Sequence, residues 1–269
     1  MQPIIINMRP TFLLFLMLLL AVMFGCEHKR GKIVYESTAN GIERRTFDSN
    51  GDVTEDIQLG KDSIKSGFYK TFRLGKISCL GFYKKGIKDS SWKSFDSAGN
   101  IISQENWLTG NQFGQQMRFQ ANIETNRGVF LSKYDFNNIE GKKLFTMNLD
   151  SESKIKNIKG VPLFVAYNSN NIKPNVEFEA MYFFGVPPAF SYKLNIKEVN
   201  VLKKNTLFET TISDTTAAVQ NLYLGKKYSI KKKEAKSGIY DWIIIFILKD
   251  GQQRNVLNDT SSIRVYVKS

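Results

Sequence analysis

Residues 67–86 read GFYKTFRLGKISCLGFYKKG, and residues 91–110 read SWKSFDSAGNIISQENWLTG. In both stretches an aromatic segment runs into a glycine, and a second apolar segment runs into another glycine. Glycine suits tight hairpin turns because such turns place residues at positive φ. Each stretch therefore predicts two short β-strands joined by a turn, and the two together predict a repeating hairpin.

The same period extends to both sides of these stretches. Three glycines recur at intervals of 24 residues, namely Gly51, Gly75 and Gly99. Four phenylalanines recur at intervals of 23 to 25, namely Phe47, Phe72, Phe95 and Phe119. One hairpin cannot bury its apolar face alone, whereas a stack of hairpins can. We therefore expect residues 42–125 to form a sheet of stacked hairpins.

The repeat resembles MORN-type repeats, and more closely their degenerate form in YwqK-type antitoxin-like proteins. Seven residues fit one unit of that pattern: Trp92, Phe95, Gly99, Ile101, Trp107, Gly110 and Gly114. Six fit the preceding unit: Phe68, Phe72, Gly75, Ile77, Tyr83 and Gly86. The resemblance covers residues 42–120. It implies an elongated, twisted sheet with a binding or scaffolding role, and it implies no catalysis.

From about Gly128 the period is lost, but strand-like segments continue. Seven such segments are separated by Asn, Gly, Asp and Lys, at residues 128–131, 161–167, 176–184, 192–196, 207–212, 242–248 and 263–267. This spacing predicts an antiparallel β-sandwich over residues 126–269. Gly238-Ile239-Tyr240 resembles the start of the penultimate strand in immunoglobulin-like domains, where the tyrosine hydroxyl caps a corner. We expect an all-β chain, with a repeat sheet followed by an immunoglobulin-like sandwich.

The N-terminus has the pattern of an export signal. Arg9 precedes an apolar run that ends at Gly25-Cys26, and the uncharged residues 10–25 are fewer than the ~20 that a membrane-spanning helix needs. Gly25-Cys26 resembles the lipobox of bacterial lipoproteins, in which cleavage precedes a cysteine that carries diacylglycerol. We therefore predict a signal peptide over residues 1–25, lipid attachment at Cys26 and a tether over residues 26–41. The alternative is a buried cysteine at the end of a core helix.

Lipid attachment would place the chain in the cell envelope, with the membrane as one partner. In lipoproteins of Gram-negative bacteria, the residues after the cysteine help to select the membrane. Residues 27–30 contain no acidic cluster, which favours the periplasmic face of the outer membrane over the cell surface.

The net charge indicates which classes of partner, besides the membrane, the chain is expected to bind. The chain has 38 Lys and Arg against 25 Asp and Glu, a net charge of +13, which favours anionic partners. Export makes nucleic acid the least expected of these, and the even spread of charge is also consistent with an ordinary solvated surface. The densest basic segment, residues 226–236, predicts an edge strand or exposed hairpin whose lysines discourage edge pairing.

Candidate binding residues follow from these features. Trp92 and Trp107 would lie on the repeat face, and Lys231, Lys232 and Lys233 in the basic segment. The segment 181–190 could form a contact loop that presents Phe184 or Phe190, or it could be a core strand that runs into a turn.

Catalytic and metal-binding patterns are scarce. The only histidine, His28, lies in the expected tether, and Cys79 is better explained by strand packing than by nucleophilic attack. Residues 48–52 suggest a calcium loop, but Val53 occupies the position where an EF-hand requires glycine. Residues 96–100 occupy the same phase of the repeat, so both segments are predicted to be hairpin turns. We expect no metal and no cofactor.

The expected function is non-catalytic binding or scaffolding in the envelope, with a protein or glycan ligand. Two alternatives stay open at this point. One is an envelope glycan hydrolase, which a clustered carboxylate pair on one exposed face would favour. The other is an immunity-like protein that binds an exported toxin, as the antitoxin resemblance implies.

Overall fold

The computed structural model describes residues 31–39, 41–121, 128–222, 224–234 and 236–268. These residues form an all-β fold without helices, so this part of the chain has no helix long and apolar enough to cross a membrane. The strands are β1 Ile33–Thr38, β2 Gly41–Phe47, β3 Val53–Leu59, β4 Lys65–Arg73, β5 Lys76–Lys84, β6 Ile87–Phe95, β7 Ile101–Leu108, β8 Asn111–Gln112, β9 Gly114–Ala121, β10 Val129–Asn137, β11 Lys143–Leu149, β12 Ile155–Gly160, β13 Leu163–Tyr167, β14 Asn171–Ile172, β15 Glu177–Phe184, β16 Ser191–Asn200, β17 Asn205–Ser213, β18 Gln220–Leu222, β19 Gly225–Lys233, β20 Gly238–Lys249 and β21 Asn255–Val267.

The first sheet is a meander of antiparallel hairpins. Its strands follow one another in chain order from β1 to β12, with the short β8 attached to β7. The sheet begins at Ile33, so the expected tether over residues 26–41 is wrong for β1 and for Gly41, which pair with each other in the sheet. The sheet continues past residue 125, because β9 pairs with β10 from Val129 and Ala121 onwards. The segment from Gly128, which we expected to begin the sandwich, is therefore part of the first sheet, and that sheet runs on to Gly160.

The short turns of the first sheet have the chemistry that the glycine pattern predicts. Lys85 and Gly86 both have positive φ, at 50° and 81°, and the same holds for Leu74 and Gly75 at 50° and 71°. Positive φ at both central residues defines the type I′ turn, whose twist matches that of the flanking strands. The glycine-turn prediction is confirmed at these two hairpins.

A second kind of turn recurs five times, in both halves of the chain. Each has five residues and begins with Asp or Asn, at residues 48–52, 96–100, 138–142, 150–154 and 250–254. The first side chain accepts hydrogen bonds of 2.8–3.1 Å from the backbone N–H groups of the third and fifth residues. Asp48 and Asp96 are thus engaged by the backbone, which confirms the prediction of hairpin turns.

Two further sheets form the sandwich. One has the strand order β13-β15-β19-β18, and the other has the order β14-β21-β20-β16-β17. If β13, β15 and β16 are taken as strands A, B and C of an immunoglobulin domain, the orders read A-B-E-D and G-F-C-C′. Inward-facing residues alternate with outward-facing ones along β15, β16 and β20, as a half-buried strand requires.

An aromatic pair joins the two sheets of the sandwich. Phe178 on β15 and Trp242 on β20 are buried, with ring centroids 5.3 Å apart. Trp242 follows Tyr240 by two residues, which is the place of the second cysteine of the inter-sheet disulfide in antibody domains. The packed rings of Phe178 and Trp242 thus occupy the region where antibody domains have the inter-sheet disulfide.

Tyr240 forms the corner that the sequence predicts. Its hydroxyl donates a 2.9 Å hydrogen bond to the backbone carbonyl of Lys236, four residues upstream. A Cβ at Gly238 would lie 3.3–3.4 Å from the Tyr240 ring, so a larger residue there would crowd the ring.

The end of the first sheet shares a core with the sandwich. Tyr134 and Phe136 on β10 are fully buried, and they belong to the same hydrophobic cluster as the sandwich interior. A Cβ at Gly185 would overlap the Tyr134 hydroxyl, so the backbone approach there requires glycine. The N–H of Gln115 also donates a 2.9 Å hydrogen bond to the carbonyl of Leu224.

We predict that Tyr240→Phe lowers the free energy of unfolding by about 1 kcal/mol, because the Lys236 carbonyl loses its donor. Tyr182→Phe is a matched control: Tyr182 is buried in the same core, but its hydroxyl has no hydrogen-bond partner among the described residues. Urea unfolding of both variants checks the difference. Equal losses of stability would contradict the assignment of the corner.

We predict that Ser153→Gly raises the free energy of unfolding by up to about 1 kcal/mol. Ser153 has φ of 63°, where three of the five related turns have glycine at Gly51, Gly99 and Gly141. Ser151→Gly in the same turn is the control, because Ser151 does not have positive φ. It should leave stability unchanged or lower it, through the greater freedom of the unfolded chain. Denaturant unfolding that ranks the two variants in the opposite order would refute this interpretation.

Candidate binding site

A cavity lies where the first sheet meets the loops of the sandwich. Its volume is about 750 Å³, within the ~300–1,000 Å³ that is usual for ligand sites. Its lining residues come from three segments: the 150–154 turn with the start of β12, the loop before β16, and the 250–254 turn with the start of β21. We refer to this cavity as the inter-sheet cleft.

The floor of the inter-sheet cleft is apolar. Phe190, Ile155 and Val256 line it, and all three are partly buried against the hydrophobic core. Phe190 was one of the two aromatic residues predicted to lie on a contact loop. The structure places its side chain in the cleft.

The walls of the cleft carry charges of both signs. Lys154 forms an ion pair with Glu152, and Arg254 forms a 2.7 Å ion pair with Asp250. Each ion pair lies within its own turn, so the wall formed by each turn presents one acidic and one basic group. The cleft is therefore suited to a ligand that combines an apolar part with groups of both charges.

Three of the ten described residues other than glycine that have positive φ lie beside the cleft. Ala189 has φ of 66°, and Ser153 and Gln253 each have φ of 63°. Ala189 lies in a turn that the Phe190 N–H closes onto the Pro187 carbonyl at 3.1 Å. Strained backbone of this kind is concentrated at ligand clamps and active sites. The fold holds these loops in place despite the strain.

Trp92 and Trp107 lie on one face of the repeat sheet, together with lysines and tyrosines. Trp92 is 4% exposed, and its indole N–H donates to the backbone carbonyls of Phe82 and Asp89 at 3.1 and 3.2 Å. Its ring centroid lies 5.0 Å from that of Tyr83, and the Lys88 ammonium lies 4.2 Å from it. In this structure Trp92 packs the repeat and is not available to a ligand.

Trp107 occupies the next position on the same face. It is half-buried, and the Lys88 ammonium lies 4.7 Å from its ring centroid. One repeat earlier, Lys65 lies 5.0 Å from the Tyr83 ring and 5.6 Å from the Tyr69 ring. The repeat thus places one lysine against two aromatic rings in each of two successive units, a favourable cation–π arrangement.

Phe184 is fully buried. It lies at the end of β15, with its ring centroid 4.8 Å from that of Tyr192 and 6.0 Å from that of Phe246. For this residue the structure agrees with the alternative of a core strand that runs into a turn. Of the two aromatic residues considered, only Phe190 reaches a cavity.

The basic segment is largely neutralised by acidic residues on neighbouring strands. Lys231 lies 3.5 Å from both Glu177 and Glu179, and Lys232 is paired with buried acidic groups. Lys233 is exposed and has no ion pair among the described residues. β19 forms a hairpin with β18, and beyond Lys227 its outer edge has no strand partner in the described chain. The predicted hairpin and free edge are present, but the lysines do not form a free basic patch.

A buried charge cluster at the other end of the sandwich was not predicted. Glu198 is fully buried on the inner face of β16, and Lys232 forms ion pairs with Glu198 and, at 3.1 Å, with Glu234. One oxygen of Glu198 has no hydrogen-bond partner among the described residues. Burial raises the pKa of Glu198 to about 7, and repulsion from Glu234 adds to this while Lys232 opposes it.

Two signals could have revealed what the sequence interpretation missed. Leu194, Ile196 and Glu198 follow one another at every second position, which places the glutamate on the core face of its strand. Asp150 and Asp250 begin five-residue turns of the same kind as Asp48 and Asp96. The 150–154 and 250–254 turns come together at one cleft only in the tertiary fold, so the sequence pattern could not predict it.

The remaining predicted residues fall into two groups. Cys26 and His28 lie outside the described residues, so lipid attachment stays a prediction. Cys79 is half-buried on β5, and burial raises the pKa of its thiol, as expected for a packed cysteine. No group of three or more His, Cys, Asp and Glu side chains in the described part of the chain could hold a metal ion.

The fold and the cleft together define an all-β protein in which a sheet of hairpins joins an immunoglobulin-like sandwich. Among known proteins, no family model matches the chain, and no curated sequence matches it. The resemblances to bacterial lipoproteins and to MORN-type repeats therefore stay predictions from the sequence.

We predict that Glu198→Gln removes a pH dependence of stability. Because the pKa of Glu198 is raised from 4.5 to about 7, its contribution is fully present below pH 4.5 and is lost as the pH rises through about 7. The wild-type chain should lose roughly 2–4 kcal/mol relative to the variant over this interval.

Urea unfolding at a series of pH values measures the difference between the two chains. Lys232, Glu234 and Tyr240 face the same cluster and are unchanged in the variant. Glu209→Gln, at an exposed site on neighbouring β17, is the control and should follow the wild-type profile. Parallel profiles for wild type and Glu198→Gln would contradict the prediction.

Proposed function

We propose that this chain is a non-catalytic, lipid-anchored binding or scaffold protein of the cell envelope. Cys26 carries the lipid, the residues between Cys26 and β1 form a tether and the folded part binds a protein or glycan ligand. The proposal places the chain in the outer membrane, on its periplasmic face. No cofactor enters this proposal.

The inter-sheet cleft is the observation that carries the binding role. It has the volume of a ligand site, an apolar floor at Phe190 and charged walls, and strained loops border it. Two bodies of the fold contribute to it, and such junctions are frequent ligand sites. Trp107, Lys88 and Lys65 on the repeat face offer a second, flatter surface for scaffolding contacts.

The hydrolase alternative lacks a specific observation in its favour. Glu43 and Asp56 form a carboxylate pair on the repeat sheet, and the pKa of Asp56 is raised by burial and by hydrogen bonding to Glu43. Glycosidases separate their two carboxyl groups by about 5–9.5 Å to leave room for the sugar or for water. Carboxyl groups in direct hydrogen-bonding contact are too close for that geometry. The immunity-like alternative is a special case of protein binding, so it needs no separate site.

We predict that membrane attachment depends on Cys26 and not on Cys79. In wild type and Cys79→Ala, the mature N-terminus should begin at a lipid-modified Cys26, and the chain should stay in the membrane fraction after a high-salt wash. In Cys26→Ala the modification should disappear, and release from the membrane should be nearly complete. Mass spectrometry of detergent-extracted protein measures both. An unmodified Cys26 or a retained Met1 in the wild type would refute the lipid anchor.

A further inference from the structure

Two strands beside the inter-sheet cleft have an outer edge without a strand partner. β12 is the last strand of the first sheet and pairs only with β11. β21 pairs with β20 along its length, but it pairs with β14 only at Tyr266 and Val267. Over residues 255–264, one edge of β21 therefore has no described backbone partner. Ile155 of β12 and Val256 of β21 both line the cleft.

An open strand edge presents a row of backbone N–H and C=O groups that another chain can use. Proteins commonly protect such edges with lysines, and β12 carries Lys156 and Lys159, both exposed. The ten residues 255–264 of β21 carry two charges, on Asp259 and Arg264, and Arg264 is paired with Asp241 of β20. Of the two edges, that of β21 is the less protected against pairing.

Side chains next to this edge offer recognition as well as pairing. An added strand places alternate residues on opposite faces, so one set would point towards the cleft. Phe190 and Val256 offer an apolar surface there, and Glu152, Lys154 and Arg254 offer groups of both charges. A peptide with both apolar and charged side chains matches the open strand edge through its backbone, the apolar surface through its apolar side chains and the charged walls through its charged side chains. A carbohydrate could form hydrogen bonds with the charged groups, but it has no backbone amides to pair with the edge.

We propose that the outer edge of β21 accepts an extended peptide segment of a partner protein, with an apolar side chain of that segment packed on Phe190 in the inter-sheet cleft. This inference rests on the binding part of the proposed function and names its ligand class. Recognition is by β-strand addition, in which main-chain hydrogen bonds give affinity and pockets for alternate side chains give specificity.

A displayed library of random peptides, selected on the immobilised full chain, tests the proposal. The selected peptides should share an alternating apolar pattern. A synthetic copy should bind wild type and Tyr35→Ala equally, and should bind Phe190→Ala at least tenfold more weakly. Tyr35 is the matched control because it is an aromatic residue, 62% exposed, on the distant edge strand β1. A thermal melt of Phe190→Ala verifies that the variant is folded.

N-methylation of the synthetic peptide tests the backbone pairing without changing the protein. Each N-methyl group removes one backbone donor, so only every second position should weaken binding, by tenfold or more. Failure to select any peptide, binding insensitive to Phe190→Ala, or a uniform response to N-methylation would overturn the proposal. These measurements do not depend on the lipid at Cys26. A failed lipid test would therefore refute the envelope location alone, and a failed peptide test would refute only this inference.

Discussion

Aromatic packing between the end of the first sheet and the sandwich is the contact on which the rest of the structure depends. Tyr134, Phe136 and Phe145 lie in the same hydrophobic cluster as Phe184 and the sandwich interior. Met117 of β9 and Ile158 of β12 also contribute to this cluster, so the strands from β9 to β12 pack against the sandwich. The shared core fixes the position of the 150–154 turn relative to the 250–254 turn. The inter-sheet cleft is the space between these two turns.

Strands β1 to β7 contribute no described residue to this shared core. Their apolar side chains are buried in another way. Ile57 is fully buried, and Trp92 nearly so, although both lie on a single sheet. The Tyr69 ring of β4 packs against Trp92, and lysine ammonium groups lie over the Trp92 and Tyr83 rings. Lysine side chains can bury an apolar stem while the charge stays in water, which lets a solvent-facing surface act as a small core. The repeated aromatic and lysine positions thus have a structural role as well as a possible place in binding.

Local chemistry could be predicted from the sequence, and long-range placement could not. Glycine spacing predicted the hairpins, and Tyr240 predicted the sandwich corner, because both depend on residues within a few positions of each other. The change of sheet was placed at residue 125, but strands on either side of it have the same alternation and belong to one sheet. Lys231 and Lys232 were candidate binding residues, and the sequence did not reveal their ion-pair partners 54 and 34 residues away, Glu177 and Glu198. The binding role of Phe190 stays a prediction, and its position in the cleft depends on the tertiary fold.

The consecutive order of the first sheet has a mechanical consequence. Apart from the pairing of β7 with β9 across the short β8, each of its strands pairs only with strands next to it in the chain, so β1 can separate without disturbing β3 or any later strand. A force applied at the N-terminal side would act on these hairpins one at a time and unfold them in sequence. Each step would increase the end-to-end length of the chain by two extended strands. The sandwich is closed by the parallel pairing of β14 with the end of β21, nearly a hundred residues later, and would resist until last. A chain held at its N-terminus would therefore yield first in β1 to β7, whereas the turns that form the cleft lie in the part of the fold that shares the sandwich core.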